Sequence, residues 1–240
     1  MKRVLVTLAI FAICFVLLPW GCYRLIWPTY AWNQKLTLTV ETPQGEVTGS
    51  GIVRVVWSDS PDLFGDAPHW HTKVRGEATV VELGEEKYLF ALIGGAERFG
   101  LRVFHERRLP QDTDGLASII RHVAAGRRGV ARPVPPEAMP LLVTFTDIAD
   151  PTTVRRVDPD DLAATFGPGY VLKSVTLAIT DEPVTRGDVE KVLAWILEAG
   201  YTRSNVVPRQ PDAPIRTLSE MTPEERISLD SFLDIDHWHN

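Results

Sequence analysis

One tripeptide occurs twice in the 240 residues, as His69-Trp70-His71 and as His237-Trp238-His239. In extended backbone residues i and i+2 point the same way, so each pair offers two imidazoles to a common point. Four imidazoles suit Zn²⁺ or Cu²⁺, and Asp234 and Asp236 add oxygen donors near the second pair. The competing explanation is chance: a polar loop and a chain terminus both tolerate His, with Trp70 packing on the domain. Asp147, Asp150, Asp158, Asp160 and Asp161 fall around Pro151 and Pro159. Clustered oxygens suit a hard cation, but the D-x-D-x-D-G order of a calcium loop is missing. Turn formation and helix capping account for Asp158, Asp160 and Asp161 as well. Arg186-Gly187-Asp188 spells an adhesion tripeptide, inside what reads as the first turn of a helix where Asp188 has a capping role.

Catalytic signatures are missing. Gly49-Ser50-Gly51 is not G-x-S-x-G and reads as strand, and no phosphate-binding, H-E-x-x-H or dinucleotide-binding pattern occurs. Gly76-Glu77 and Asp181-Glu182 offer carboxylates of a kind common on acidic surfaces. The balance favours a non-catalytic binding module; the alternative is a tethered hydrolase or metal-dependent enzyme that gathers His69, His71 or His105 with carboxylates. The two cysteines, Cys14 and Cys22, lie near the amino terminus, so the remainder has no disulfide, Cys-ligated metal or thiol nucleophile.

Those residues need a scaffold, and its first part reads as a membrane anchor over residues 1–32. Val4 to Tyr23 is a run of 20 residues without formal charge. As a helix it spans about 30 Å, the thickness of a bilayer's hydrocarbon core. Lys2 and Arg3 favour a cytoplasmic amino terminus and a carboxy-terminal domain carried across. Trp20, Tyr23, Trp27, Tyr30 and Trp32 read as an interfacial belt, with Arg24 at the same level, so residues 4–27 are the expected membrane contact. Two alternatives stand beside the retained helix: a cleaved signal peptide, and lipidation at Cys22 in Leu18-Pro19-Trp20-Gly21-Cys22. Residues 33–240 carry 22 basic and 31 acidic groups, a net charge of −9 against −6 for the whole chain. That argues against wrapping nucleic acid or lying flat on anionic lipid. Arg107-Arg108, Arg127-Arg128 and Arg155-Arg156 read as pairs on solvated faces, not patches.

The first half of residues 33–240 reads as an antiparallel meander of four or five strands. Leu36, Leu38 and Val40 alternate with polar residues; Thr42-Pro43-Gln44-Gly45 turns; Val47–Trp57 returns, with Gly49 and Gly51 marking a bulge or a close backbone approach. Lys73–Leu83 and Lys87–Ile93 read as a hairpin around Gly84-Glu85-Glu86, and Leu101–His105 as a further short strand. The second half alternates. Helices are expected over Leu116–Ala125, Asp158–Phe166, Val184–Ala199 and Thr222–Leu233, and strands over Leu141–Thr146 and Tyr170–Thr180. The Pro-rich stretch 126–140 is an extended connector and a possible sub-boundary. One α+β domain over 33–240, with three or four helices on its sheet, is the preferred reading.

Residues 141–185 (LLVTFTDIADPTTVRRVDPDDLAATFGPGYVLKSVTLAITDEPVT), with KVRGEATVVEL at 73–83, resemble a family of bacterial membrane-anchored or lipoprotein-like envelope proteins of unknown function. The resemblance implies a bacterial envelope setting and carries over no catalytic residue. The basic residues before the anchor put the domain in the periplasm, and the tether, the acidic surface and the missing catalytic signatures point to an envelope protein or a cell-wall component as its partner.

Overall fold

The computed structural model describes residues 27–59, 70–105, 113–198 and 227–233. The expected membrane helix and Cys22 lie outside these; among the described residues no helix is long and apolar enough to cross a membrane. The architecture is α+β, as expected, with two antiparallel sheets.

The longest hairpin sets the frame. β1 (Thr29–Thr42) and β2 (Gly45–Asp59) pair over their full length, from Thr29↔Ser58 to Thr42↔Gly45. The Thr42 hydroxyl closes the turn: it accepts from the Gln44 N–H at 3.2 Å and donates to the Gly45 carbonyl at 2.7 Å. Trp32, Leu36, Leu38 and Val40 of β1, with Val53, Val55 and Trp57 of β2, point into one core, the period-2 pattern the sequence shows. β3 (Trp70–Arg75) pairs with β2, and β9 (Val171–Thr180) pairs with β1. β6 (Ala131–Pro133) pairs with β9, giving the order β3-β2-β1-β9-β6. The second sheet has the order β4-β5-β7-β8, from β4 (Thr79–Gly84), β5 (Lys87–Ala91), β7 (Leu142–Phe145) and β8 (Val154–Arg156).

The two sheets meet where β4 crosses β2. A Cβ on Gly49 would sit 2.3 Å from the Val80 carbonyl oxygen, and one on Gly51 would sit 2.5 Å from the Thr79 hydroxyl. The glycines therefore serve the close backbone approach, one of the two roles their positions suggest. Helices α1 (Ala96–Phe104) and α2 (Thr113–Ala124) close the core beneath the five-stranded sheet. A second core lies on the other side of the four-stranded sheet, where Phe90, Val143 and Phe145 meet Val189, Leu193, Ile227 and Phe232. Its outer wall is α4 (Asp188–Val192), α5 (Trp195–Glu198) and the segment 227–233. A short α3 (Ala163–Phe166) precedes β9.

Several expectations change. Instead of one meander, the strands divide between two sheets, because Lys73–Leu83 breaks at Gly76, whose φ is 132°. Tyr30 and Trp32, expected in an interfacial belt within residues 1–32, belong to β1; Trp32 is 2% exposed, and its indole donates to the Gln34 side chain at 3.1 Å. The expected strand Leu101–His105 is helical as far as Phe104: Ala96, Phe99, Gly100 and Val103 recur at helical spacing and are buried, and the Leu101/Val103 alternation is incidental. The described part of Val184–Ala199 holds two short helices instead of one, broken at Leu193, where the Trp195 ring turns onto Phe145 and packing overrides the periodicity. The Asp158–Phe166 helix starts only at Ala163, since Asp158 and Asp161 spend their carboxylates on a turn and on the Ala164 N–H. The described part of Thr222–Leu233 holds a 3₁₀ turn, Leu229–Ser231. Lys173 bulges out of β9 and Val171 is exposed, so the alternation that buries Val175, Leu177 and Ile179 does not extend to the start of the strand. Residues 126–140 are not a linker between cores: β6 joins the sheet, and the Val134 N–H donates to the Val175 carbonyl at 2.9 Å.

α4 is only five residues long and starts at Gly187, whose φ is 85° and which lends no side-chain cap. Its cap comes from the far side of the sequence. The Glu77 carboxylate, 2% exposed, accepts from the N–H groups of Gly187 (3.0 Å), Asp188 (2.9 Å) and Val189 (3.3 Å). The Thr185 hydroxyl, just before α4, accepts from the Ile52 N–H at 2.9 Å. Burial pushes the Glu77 carboxyl above the ordinary value of 4.5; the helix N–H groups hold part of that rise back, and the Asp188 charge adds to it.

Replacing Glu77 by Ala leaves three N–H donors without their acceptor and costs about 3 kcal/mol in urea unfolding; Glu77→Gln, which keeps one acceptor oxygen, costs less. A carboxyl whose pKa is raised on folding contributes stability fully below its unfolded pKa and loses it as pH rises through the folded one. Unfolding across about pH 4 to 7 therefore shows the wild type losing stability relative to Glu77→Gln as pH rises.

Candidate functional site

Of the twin His pairs, the described residues contain one member. His71 lies on β3 opposite Ser58 and is exposed. His69, His237 and His239, with Asp234 and Asp236, fall outside the described residues. Trp70 between the first pair packs partly against the core. His105 is half-buried just past α1, and His122 is exposed on α2. Among the described residues, no three His, Cys, Asp or Glu side chains gather as a metal site.

The aspartate group is used by its own backbone. Asp147 accepts from the Ala149 N–H, Asp150 from both the N–H and the hydroxyl of Thr152, Asp158 from the Asp160 N–H, and Asp161 from the Ala164 N–H. The Thr152 donors hold the Asp150 carboxyl below the ordinary carboxylate value. In Arg186-Gly187-Asp188 two of the three backbone N–H groups that bind Glu77 are those of Gly187 and Asp188, and the Asp188 carboxylate pairs with Lys191 at 2.7 Å. Asp181 pairs with Arg128 at 3.1 Å, and Glu182 with Lys35 at 2.9 Å, which lowers the Glu182 pKa. Gly49-Ser50-Gly51 runs through β2 opposite Leu38, Thr37 and Leu36, with no strand-to-helix elbow.

What sequence reasoning missed is a groove of about 890 Å³ beside the four-stranded sheet. That volume lies within the range of small-molecule and peptide-side-chain pockets. Its apolar lining comes from Tyr88 on β5, Phe145 on β7, Phe166 on α3, Ile148, and Val192 and Trp195 at the α4–α5 break. Trp195 fixes one wall: its indole N–H donates to the Ile148 carbonyl at 2.7 Å, and its ring meets Phe145 edge-on at 5.8 Å. The 147–153 turn holds the floor, with the Thr153 hydroxyl accepting from the Asp147 N–H and donating to the Asp147 carbonyl.

The groove's mouth is the β4–β5 turn. Gly84 pairs with Lys87, so Glu85 and Glu86 are the two loop residues, with φ of 53° and 58°. Left-handed φ at both positions defines the tight turn that Asn-Gly adopts without strain. Two glutamates there cost about 1 kcal/mol each in backbone strain. Lys87 follows: its ammonium binds Glu85 at 3.1 Å, reaches the Tyr170 hydroxyl at 3.4 Å and lies 5.1 Å from the Tyr170 ring centre. Glu85 and then Tyr170 raise the Lys87 pKa. Asp147 and Arg155 complete a rim of both signs around aromatic walls. A surviving sequence signal was available: Glu-Glu where a two-residue hairpin asks for Asn-Gly. The partners that build the walls lie too far apart in the chain to be paired by inspection.

Comparison with protein-family models, with curated proteins and with solved structures returned no match.

If the Trp195 ring and its hydrogen bond hold the wall, Trp195→Phe costs about 1 kcal/mol and Trp195→Ala about 3 kcal/mol in urea unfolding. Equal losses in the two variants would show that the hydrogen bond, and not the ring, holds it.

Proposed function

We propose that the chain is a membrane-tethered periplasmic module of the bacterial envelope, non-catalytic, which holds an envelope protein or a cell-wall component in the groove beside the four-stranded sheet. The tether is the uncharged run Val4–Tyr23. The observation that carries the reading is the strained turn. Glu85 and Glu86 keep left-handed backbone at the groove's mouth, where Asn and Gly would sit without cost. Strain of that kind is retained where the side chains serve something other than stability.

The lining states the chemistry of the ligand. Tyr88, Phe145 and Trp195 offer aromatic faces, and the Glu86 and Asp147 carboxylates share the rim with Arg155 and the Glu85–Lys87 pair. A partner segment with an apolar side chain next to a cationic one matches both.

Photo-crosslinking in living cells tests the reading, with a benzophenone amino acid at Ala149 of the full chain and mass spectrometry of the adducts. One reproducible envelope adduct is expected, and its absence overturns the proposal. Glu85→Asn/Glu86→Gly separates function from folding: the variant gains about 1 to 2 kcal/mol of stability and loses the adduct. A stabilised variant that still gives the adduct removes the turn from the site.

A further inference from the structure

The groove has two walls of different kinds. Tyr88 and Phe145 stand on β5 and β7, whose pairing fixes their spacing. The other wall, Val192, Ala194 and Trp195, belongs to a segment that joins neither sheet. Its helices α4 and α5 hold five and four residues, lengths at which a helix has little stability of its own. At Leu193 the backbone leaves the helical region, with φ of −105° and ψ of 70°, and Trp195 opens the next helix two residues on. Contacts from outside the segment must therefore set its place.

Val189 and Leu193 sit in the second core, which holds the segment down, but apolar burial is non-directional and sets no register. Trp195 touches Phe145 and Ile148, inside the groove that it walls. Upstream, Thr185 is pinned to Ile52 by two hydrogen bonds, and Gly187 turns the chain between that point and the helix. Glu77 holds the helix itself. Its hydrogen bonds to the N–H groups of Gly187, Asp188 and Val189 are directional, and they come from outside the groove.

We propose that Glu77 is the positioning residue of the groove: through the start of α4 it sets where the Val192–Trp195 wall stands against Tyr88 and Phe145, and with it the width open to a partner's side chain. The inference rests on the groove reading above and adds to it the residue that tunes the fit. Glu77 has its own backbone held on both sides, by Gly76 packed on β2 and by the pairing of residues 77 and 78 with Phe232 and Leu233. Its carboxylate is therefore a fixed point common to both sheets. From Gly187 to Val192 the rise is about 7.5 Å, under one and a half turns of helix, so a shift at the cap reaches the wall. Gln in its place offers one acceptor oxygen to three donors and turns an NH2 toward N–H groups. The segment stays folded and the wall moves.

The test uses the full chain in phosphatidylcholine nanodiscs, with 5-fluorotryptophan in place of its tryptophans. The Trp195 fluorine signal, assigned from its loss in Trp195→Phe, reports the wall, and those of Trp32 and Trp57 report the first core. In Glu77→Gln the Trp195 signal is expected to move while the Trp32 and Trp57 signals stay. The amides of Lys191 and Leu193, which close α4, exchange about tenfold faster. In cells the photo-adduct from position 149 falls by about tenfold. Gly187→Ala reaches the same contact from its other side: a Cβ there has open space, but a φ of 85° disfavours it, so it moves the same signals even if Glu77→Gln does not fold. Ile120→Ala, buried in the first core, is the control for lost stability, and keeps the wild-type Trp195 signal and adduct. An unmoved Trp195 signal in both α4 variants overturns the proposal. So does an equal shift in Ile120→Ala, because the wall then follows stability and not position. A moved signal with undiminished adduct overturns it as well, by separating Glu77 from partner binding. Those three outcomes leave the groove reading standing, whereas absence of the adduct in the wild type overturns that reading and this proposal together.

Discussion

A buried carboxylate joins the parts of this fold. Glu77 sits at the corner where β3 ends and β4 begins, and its two oxygens bind three N–H groups at the start of α4, more than a hundred residues on. The same corner holds the segment 227–233: the Ala78 N–H donates to the Phe232 carbonyl at 2.8 Å, and Glu77 bridges to Leu233. Residues 76–78 therefore connect both sheets, the short helix and the last described segment. Such donors are what let a carboxylate buried this far stay ionised. Conversely, a five-residue helix beginning at a left-handed glycine has little stability of its own. Each covers the other's deficit.

How much of this was legible follows the range of the interactions. The β1–β2 hairpin, the close approach at Gly49 and Gly51, the buried side of β9 and the helix around Ile120 come from local pattern: alternation, turn residues and helical spacing. Glu77 was visible only as one carboxylate among many, because its partners are backbone groups at residues 187–189. Trp32 read as a membrane-interface residue because an aromatic beside an apolar run suits that place; its hydrogen bond to Gln34, two residues on, marks it as core. The division into two sheets hangs on Gly76, where a Cβ would press against the Ile52 carbonyl at 3.0 Å.

Charge shows the same limit. Basic residues that look isolated along the chain, Arg54 on one strand and Lys73 and Arg75 on the next, become neighbours through strand register. The groove is likewise assembled from β5, β7 and β8, two turns, α3 and a helix break. Local sequence supplies each wall, and the crossing of the sheets supplies the space between them. Its mouth carries strain that the rest of the fold avoids: among the described residues, the non-glycine residues with positive φ are Glu85 and Glu86.

The pairing of β1 with β9 carries a consequence in time. Asn33 lies opposite Thr180, so the first strand waits for a partner 147 residues downstream. At ordinary synthesis rates of about 5 to 20 residues per second, that interval is about 7 to 30 s. During it β1 has β2 on one edge and an open row of amides on the other, a surface that invites pairing with the wrong chain. A domain wired in this order folds late, once its last strands have emerged. Whatever shields a nascent β1 in the cell must hold on for most of the chain's synthesis.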